Sequence, residues 1–108
     1  MNLYIYKLAL KEKYLEFSAW DAAVQQSFKN HATHLEKMVK SGQALMVGRT
    51  DTQLKDNYGI VVFTAKDEGE ARRVMEADPI IVDGIMTAHV LPFKLLMVHD
   101  EAKKWNVW

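Results

Sequence analysis

A stripe of large side chains at helical spacing, in the second fifth of the chain, constrains the fold more than any other feature. Its steps are four, four, three, four and three residues, and its members are Trp20, Val24, Phe28, His31, Leu35 and Met38. This spacing places all six on one face of an α-helix. Ser18 is the predicted N-cap, with Asp21 three residues later in a capping pattern. Gly42 is the predicted C-cap.

Four runs of strand-like composition accompany this helix. They are rich in β-branched and aromatic residues and cover Leu3–Leu10, Ala44–Thr50, Tyr58–Ala65 and Thr87–Val98. Gly48 predicts a bulge, or a place where a ligand or another backbone comes close. Pro92 predicts an edge strand or a bulge in the last run.

A second, shorter helix is predicted between the third and fourth strands. Asp67 and Glu70 form a capping-box pattern at its start. Asp78-Pro79 ends this helix and starts a short new turn, because proline is favoured at the first helical position. Gly84 closes that turn.

The resulting order is strand, helix, strand, strand, helix, strand, which predicts an α+β, ferredoxin-like split βαβ fold. Both helices then cover one face of a four-stranded antiparallel sheet. The other face is apolar as well, which marks an interface on a globular protein. We therefore expect a homodimer that packs sheet against sheet. Residues 1–98 form the predicted domain, and 99–108 form a C-terminal tail that packs on the partner subunit.

Composition excludes several classes of partner. The 108 residues suit one globular domain, and the formal net charge of +0 gives no electrostatic reason to expect nucleic acid or an anionic membrane. The chain has no cysteine, so disulfides and thiolate metal ligands are excluded. Neither a signal-peptide pattern nor a membrane span is present, and we expect a cytoplasmic protein.

The order and spacing of His31, Gly42, Gly48, Asp78-Pro79 and Gly84 resemble the YCII-related family. The resemblance runs roughly from residue 3 to residue 98. It implies a dimeric ferredoxin-like fold in which His31 and Asp78 meet in a pocket as a His–Asp dyad. Most members have no assigned reaction. One branch removes chloride from a hydroxylated aromatic, and similarly folded isomerases act on lactones.

The chain departs from the family pattern at two positions. Phe28 stands where the family often has arginine, and Arg49 stands where it often has proline. A contact with a substrate anion has therefore been lost or has moved to Arg49.

His31 and Asp78 are the candidate catalytic residues. A carboxylate bonded to one imidazole nitrogen fixes the tautomer, and the other nitrogen can exchange a proton with substrate. Each residue alone also fits a structural role, since aspartate before proline is a common N-cap and a histidine within an apolar stripe is often a core group.

His34, Gly48 and Arg49 are the candidate substrate-binding residues. A forked guanidinium suits a carboxylate or phenolate, and His34 is expected at the pocket rim or partly exposed. We expect no metal site and no cofactor, because no third ligand is placed by a motif beside His31 and His34.

The leading functional hypothesis is a cofactor-free lyase or isomerase that acts on a small cyclic or aromatic acid. A non-catalytic dimeric protein that binds small molecules, or serves as an accessory protein, is the alternative. A cofactor-free oxygenase is the third hypothesis, and it rests on fold analogy alone.

Overall fold

The structure is a computed structural model that describes residues 1–100. Its helices and strands are β1 (Asn2–Leu10), α1 (Ala22–Ser41), β2 (Ala44–Arg49), β3 (Gly59–Ala65), α2 (Glu68–Glu76), α3 (Pro79–Val82) and β4 (Met86–Pro92). The strands form one antiparallel sheet in the order β2-β3-β1-β4. The predicted α+β class, the βαββαβ order and the four-stranded antiparallel sheet are confirmed.

The core lies between the helices and one face of this sheet. Strand register places Tyr6 opposite Val61 at its centre, and both are fully buried. The buried apolar cluster is Tyr4, Tyr6, Leu8, Val24, Leu35, Met38, Ala44, Val61, Phe63, Ala65, Ala71, Ile80 and Ile85. Three members of the predicted stripe, Val24, Leu35 and Met38, are thus buried. Phe28 and His31 are only partly covered, as is Trp20, which precedes α1.

The opposite face of the sheet is apolar but largely uncovered. Leu3, Ile5 and Ile60 are only partly buried, and Met46 and Leu91 are at least half exposed. These residues occupy the alternate positions of their strands, where side chains point away from the core.

Helix α1 begins three residues later than predicted. Its N-cap is Asp21, whose Oδ1 accepts a hydrogen bond from Val24 N at 2.9 Å, so the prediction for Ser18 is wrong. Ser18 instead lies in a short 3₁₀ helix, Phe17–Ala19. The C-cap prediction is confirmed, because Gly42 has φ 84°, a left-handed conformation that favours glycine.

Two strand details also differ from the predictions. The irregularity in β2 lies between Ala44 and Met46, whereas Gly48 pairs regularly with Ile60, so the predicted bulge at Gly48 is wrong. The last strand ends at Pro92, because proline has no N–H to donate to the ladder.

The predicted capping of α2 is confirmed. Asp67 caps α2 by accepting from Glu70 N at 2.8 Å. Nearly all of the predicted tail, residues 101–108, lies outside the described residues, and its packing stays a prediction. Within residues 1–100, the helices lack the combination of length and hydropathy that a membrane span needs.

Candidate active site

Asp78 is held by the turn that precedes α3. Pro79 occupies the first helical position, and Asp78 caps the helix by accepting from Ile80 N through Oδ1 at 3.1 Å. Its side chain is completely buried. The turn therefore directs a carboxylate into the protein instead of into solvent.

His31 meets this carboxylate from α1. Its Nδ1 lies 2.6 Å from Asp78 Oδ1, and its side chain is 14% exposed. An ionised carboxylate only accepts hydrogen bonds, so Nδ1 carries the proton and donates it. The ring nitrogen Nε2 is left for other partners.

A third side chain, which no sequence motif pointed to as part of the site, completes this group. Tyr6 of β1 donates its hydroxyl to Asp78 Oδ2 at 2.8 Å. The available signal was strand alternation, which directs Tyr6 toward the helices, and a buried tyrosine hydroxyl usually finds a partner. Nothing local in the sequence identified that partner, 72 residues away.

The environment keeps Asp78 ionised and Tyr6 protonated. Burial alone would raise the pKa of Asp78, but the hydrogen bond and positive charge of His31, together with the Tyr6 hydroxyl and Ile80 N–H, lower it. Burial and the neighbouring negative charge raise the pKa of Tyr6 far above its usual value. Tyr6 is therefore a permanent donor to a carboxylate.

His31 also faces a cavity of about 800 Å³ between α1 and the sheet. Among its lining residues are Trp20, Phe28, His31, Gly48, Arg49 and Tyr58. One wall is aromatic: Trp20 stacks on Phe28 with ring centroids 4.4 Å apart, and Phe17 stacks on the other side of Trp20 at 5.0 Å. Asp78 does not line the cavity and lies behind His31.

Residues 3–94 match the model of the YCII-related domain. The chain belongs to the YCII-related family. The match covers most of the sequence and confirms the resemblance based on His31, the glycines and Asp78-Pro79. The chain matches no curated protein sequence.

Solved structures show where the same fold occurs. This YCII-related chain is similar to 5-chloro-2-hydroxyhydroquinone dehydrochlorinase (TftG) from Burkholderia phenoliruptrix AC1100, solved with 2,5-dihydroxybenzoquinone. The two share 18% identity and a TM-score of 0.58, over 85% of this chain and 93% of that one. A mutant of SnoaB, a cofactor-independent oxygenase from Streptomyces nogalater, shares 15% identity and a TM-score of 0.46, over 92% and 96%. At 18% identity, the likeness to the dehydrochlorinase shows the fold alone.

The three predicted substrate-binding residues of this YCII-related chain do not lie together. Gly48 and Arg49 line the cavity from β2, across from His31. Arg49 Nη1 also donates to Thr50 O at 3.3 Å. His34 does not line the cavity, and its buried Nε2 has no hydrogen-bond partner within residues 1–100. The binding roles of all three stay predictions.

A second polar contact joins the helices that carry His31 and Asp78. Ser27, one turn before His31 and buried, donates its hydroxyl to Asp83 at the C-terminal end of α3. Sequence reasoning missed this pair too, because neither residue belongs to a motif. Across the part of the chain that the structure describes, no group of three or more His, Asp or Glu side chains could hold a metal ion.

Proposed function

We propose that this protein is a cofactor-free lyase or isomerase that acts on a small cyclic or aromatic acid. His31 is the general acid–base, and Asp78 is its orienting partner. The observation that carries the proposal is a histidine bonded to a fully buried carboxylate on one side and facing a cavity of about 800 Å³ on the other.

The hydrogen-bond pattern supports proton transfer at one defined atom. Because Asp78 accepts from Nδ1, the neutral ring presents Nε2 as an acceptor for a substrate proton. Once protonated, the ring returns the proton to another atom of the substrate in an isomerisation. In a lyase, it protonates the departing group. The buried carboxylate stabilises the imidazolium in both cases.

The cavity lining supports a flat, partly apolar substrate with an anionic group. The stacked rings of Trp20 and Phe28 offer a surface for a planar ring. Arg49, on the opposite wall, carries a permanent forked charge that suits a carboxylate or phenolate. The ligand of the similarly folded dehydrochlorinase, 2,5-dihydroxybenzoquinone, is itself a planar oxygenated ring.

A homodimer is part of this proposal. The apolar sheet face opposite the helices, with Met46 and Leu91 at least half exposed, is the surface on which a second copy would pack.

The decisive experiment is His31→Ala assayed against a panel of lactones and halogenated phenols. We expect kcat/KM for any accepted substrate to fall by about 10²–10⁴, the usual contribution of a positioned acid–base group. The matched control is Lys37→Ala, which removes an exposed side chain from the same helix that does not line the cavity. Turnover by His31→Ala at the wild-type rate would remove His31 from the chemistry.

The alternative, a non-catalytic dimeric binding or accessory protein, is favoured by the mostly apolar lining of the cavity. A ligand could bind by stacking and burial alone, without proton transfer. Trp20 lies in the cavity wall, so ligand binding is measurable by tryptophan fluorescence, with Trp20→Phe to identify its contribution. Saturable binding of a panel compound by the wild type, without turnover of any panel member, would favour this alternative.

A further inference from the structure

The Tyr6 hydroxyl occupies an unusual position for a group at the centre of a sheet. Tyr6 is 0% exposed, and its OH lies 2.8 Å from one oxygen of a carboxylate that is also 0% exposed. Tyr4, on the same strand and the same face, packs against Phe63 and has no such bond within residues 1–100. A ring without a hydroxyl would fill the same space in the core. Packing therefore does not explain why position 6 carries a hydroxyl.

The donors to Asp78 are divided between its two oxygens. His31 Nδ1 and Ile80 N both donate to Oδ1, whereas Tyr6 donates to Oδ2. Donors on both oxygens fix the plane of the carboxylate as well as its position. Without Tyr6, Oδ2 would be buried with no donor, and only the bonds of His31 and Ile80 N to Oδ1 would orient the group.

The sheet holds this donor rigidly. Tyr6 pairs with Val61 on β3 and with Val90 on β4, so it lies in a strand bonded on both sides. Its ring meets Phe63 edge-on, with centroids 5.4 Å apart. The Asp78 carboxylate is therefore held in place by an interior strand of the sheet, β1, as well as by the short helix α3 that it caps.

Tyr6 also competes with His31 for the negative charge of the carboxylate. A hydrogen bond to Oδ2 withdraws charge that would otherwise attract the imidazolium proton. The charged and titratable groups around Asp78 are His31 from α1 and Tyr6 from β1, while Asp83 of the same turn is bonded to Ser27. Removing the tyrosine hydroxyl should therefore strengthen the hold of Asp78 on the imidazole proton.

We propose that Tyr6 is the positioning residue of the His31–Asp78 pair: its hydroxyl fixes the orientation of the carboxylate and limits how strongly the carboxylate retains the imidazole proton. The effect on turnover rests on the function proposed above. The effect on the imidazole itself needs no substrate and is measured separately.

The experiment is a histidine NMR titration of the full-length protein carrying Tyr6→Phe, with His31→Ala used to assign the His31 signal. We expect the midpoint of the His31 titration to rise by about one pH unit, a tenfold change in the protonation equilibrium. The matched control, Tyr4→Phe, deletes a hydroxyl from the same face of β1 without touching Asp78. Its titration midpoint should match that of the wild type.

A second variant covers the case in which Tyr6→Phe fails to fold. Replacing Tyr6 by 3-fluorotyrosine retains the ring and makes the hydroxyl a stronger donor, so the His31 midpoint should move in the opposite direction, downward. Unchanged midpoints in both Tyr6 variants would overturn the proposal and leave Tyr6 as a packing residue.

Kinetic measurements distinguish the positioning role of Tyr6 from the acid–base role proposed for His31. Because Tyr6 does not line the cavity, Tyr6→Phe should lower kcat with little change in KM, and the pH–rate profile should shift upward with the His31 titration. If His31→Ala abolishes turnover but Tyr6→Phe shifts neither the pH–rate profile nor the His31 titration, only the proposed role of Tyr6 fails. If the NMR midpoint moves while His31→Ala retains full turnover, only the proposed function fails.

Discussion

At the scale of single residues, the chain brings together three side chains that are far apart in sequence. His31 was identifiable from helical phase and from its spacing to Gly42, and Asp78 from the family resemblance. Tyr6 was not, because its partner is determined by strand register and by the turn before α3, neither of which a local pattern specifies. The sequence thus predicted the His31–Asp78 pair, whereas the bond from Tyr6 was visible only in the tertiary structure.

Asp78 makes stability depend on pH. Its folded pKa lies below the ordinary value of 3.8, so the ionised carboxylate stabilises the native state at neutral pH. This contribution is complete above the ordinary value and is lost as pH falls through the lower folded pKa. We expect Asp78→Asn to cost about 1–3 kcal/mol at pH 7, with the difference from wild type narrowing below pH ~4.

Chemical denaturation at a series of pH values measures this difference. Asp56→Asn, in the exposed connection between β2 and β3, is the control and should leave the free energy of unfolding nearly unchanged. A cost of Asp78→Asn that is the same at pH 7 and pH 3 would contradict the linkage.

At the scale of elements, periodicity predicted the existence and order of helices and strands, but their ends depended on longer-range contacts. The residues before α1 form a separate turn because Trp20 Nε1 donates to Tyr14 O at 2.8 Å and the Trp20 ring stacks on Phe17. Those contacts leave Asp21, and not Ser18, at the helix start. The last strand stops at Pro92, although the apolar sequence continues to Val98.

The Ser27–Asp83 bond fixes α3 against α1 and so keeps Asp78 at His31. We expect Ser27→Ala to lower the free energy of unfolding by about 1.5–3 kcal/mol, the range for a hydrogen bond to a charged group. It should also increase hydrogen exchange in α3 and reduce turnover. The measurements are denaturation and amide exchange by mass spectrometry.

Ser41→Ala is the control for this variant, because the hydrogen bonds of the Ser41 hydroxyl in the described part of the chain are local: it donates to Met38 O and accepts from Gln43 N at the end of α1. It should leave exchange in α3 unchanged. Equal exchange in α3 for the two variants would show that the Ser27 contact does not hold this helix.

At the scale of the whole molecule, one sheet face builds the core and the other stays largely uncovered within the single chain. Alternation in β1, which is apolar on both faces, predicted this two-sided sheet. The cavity could not be predicted from the sequence. Its walls come from α1, the segment before α1 and the β2–β3 edge, and the distances between these elements depend on packing.

Assembly through the uncovered face is tested by solution mass. We expect the wild type to be a dimer at micromolar concentration and Leu91→Asp to be a monomer, because the variant places a charge in the proposed apolar contact. Val82→Asp is the control, since Val82 is 67% exposed on α3, on the helical side, and should leave the dimer intact. A monomeric wild type would refute the dimer.

The aromatic wall has a consequence for how this protein could change its ligand. Phe17 and Trp20 belong to the connection between β1 and α1, whereas the His31–Asp78–Tyr6 group is carried by α1, the α3 turn and β1. Under the proposed function, the Trp20 part of the ligand-binding wall and the proton-transfer group thus lie in separate stretches of the chain. Substitutions in the connection can remodel the size and outline of the binding space while the reactive group stays where it is, which makes that segment the natural target for redesigning selectivity.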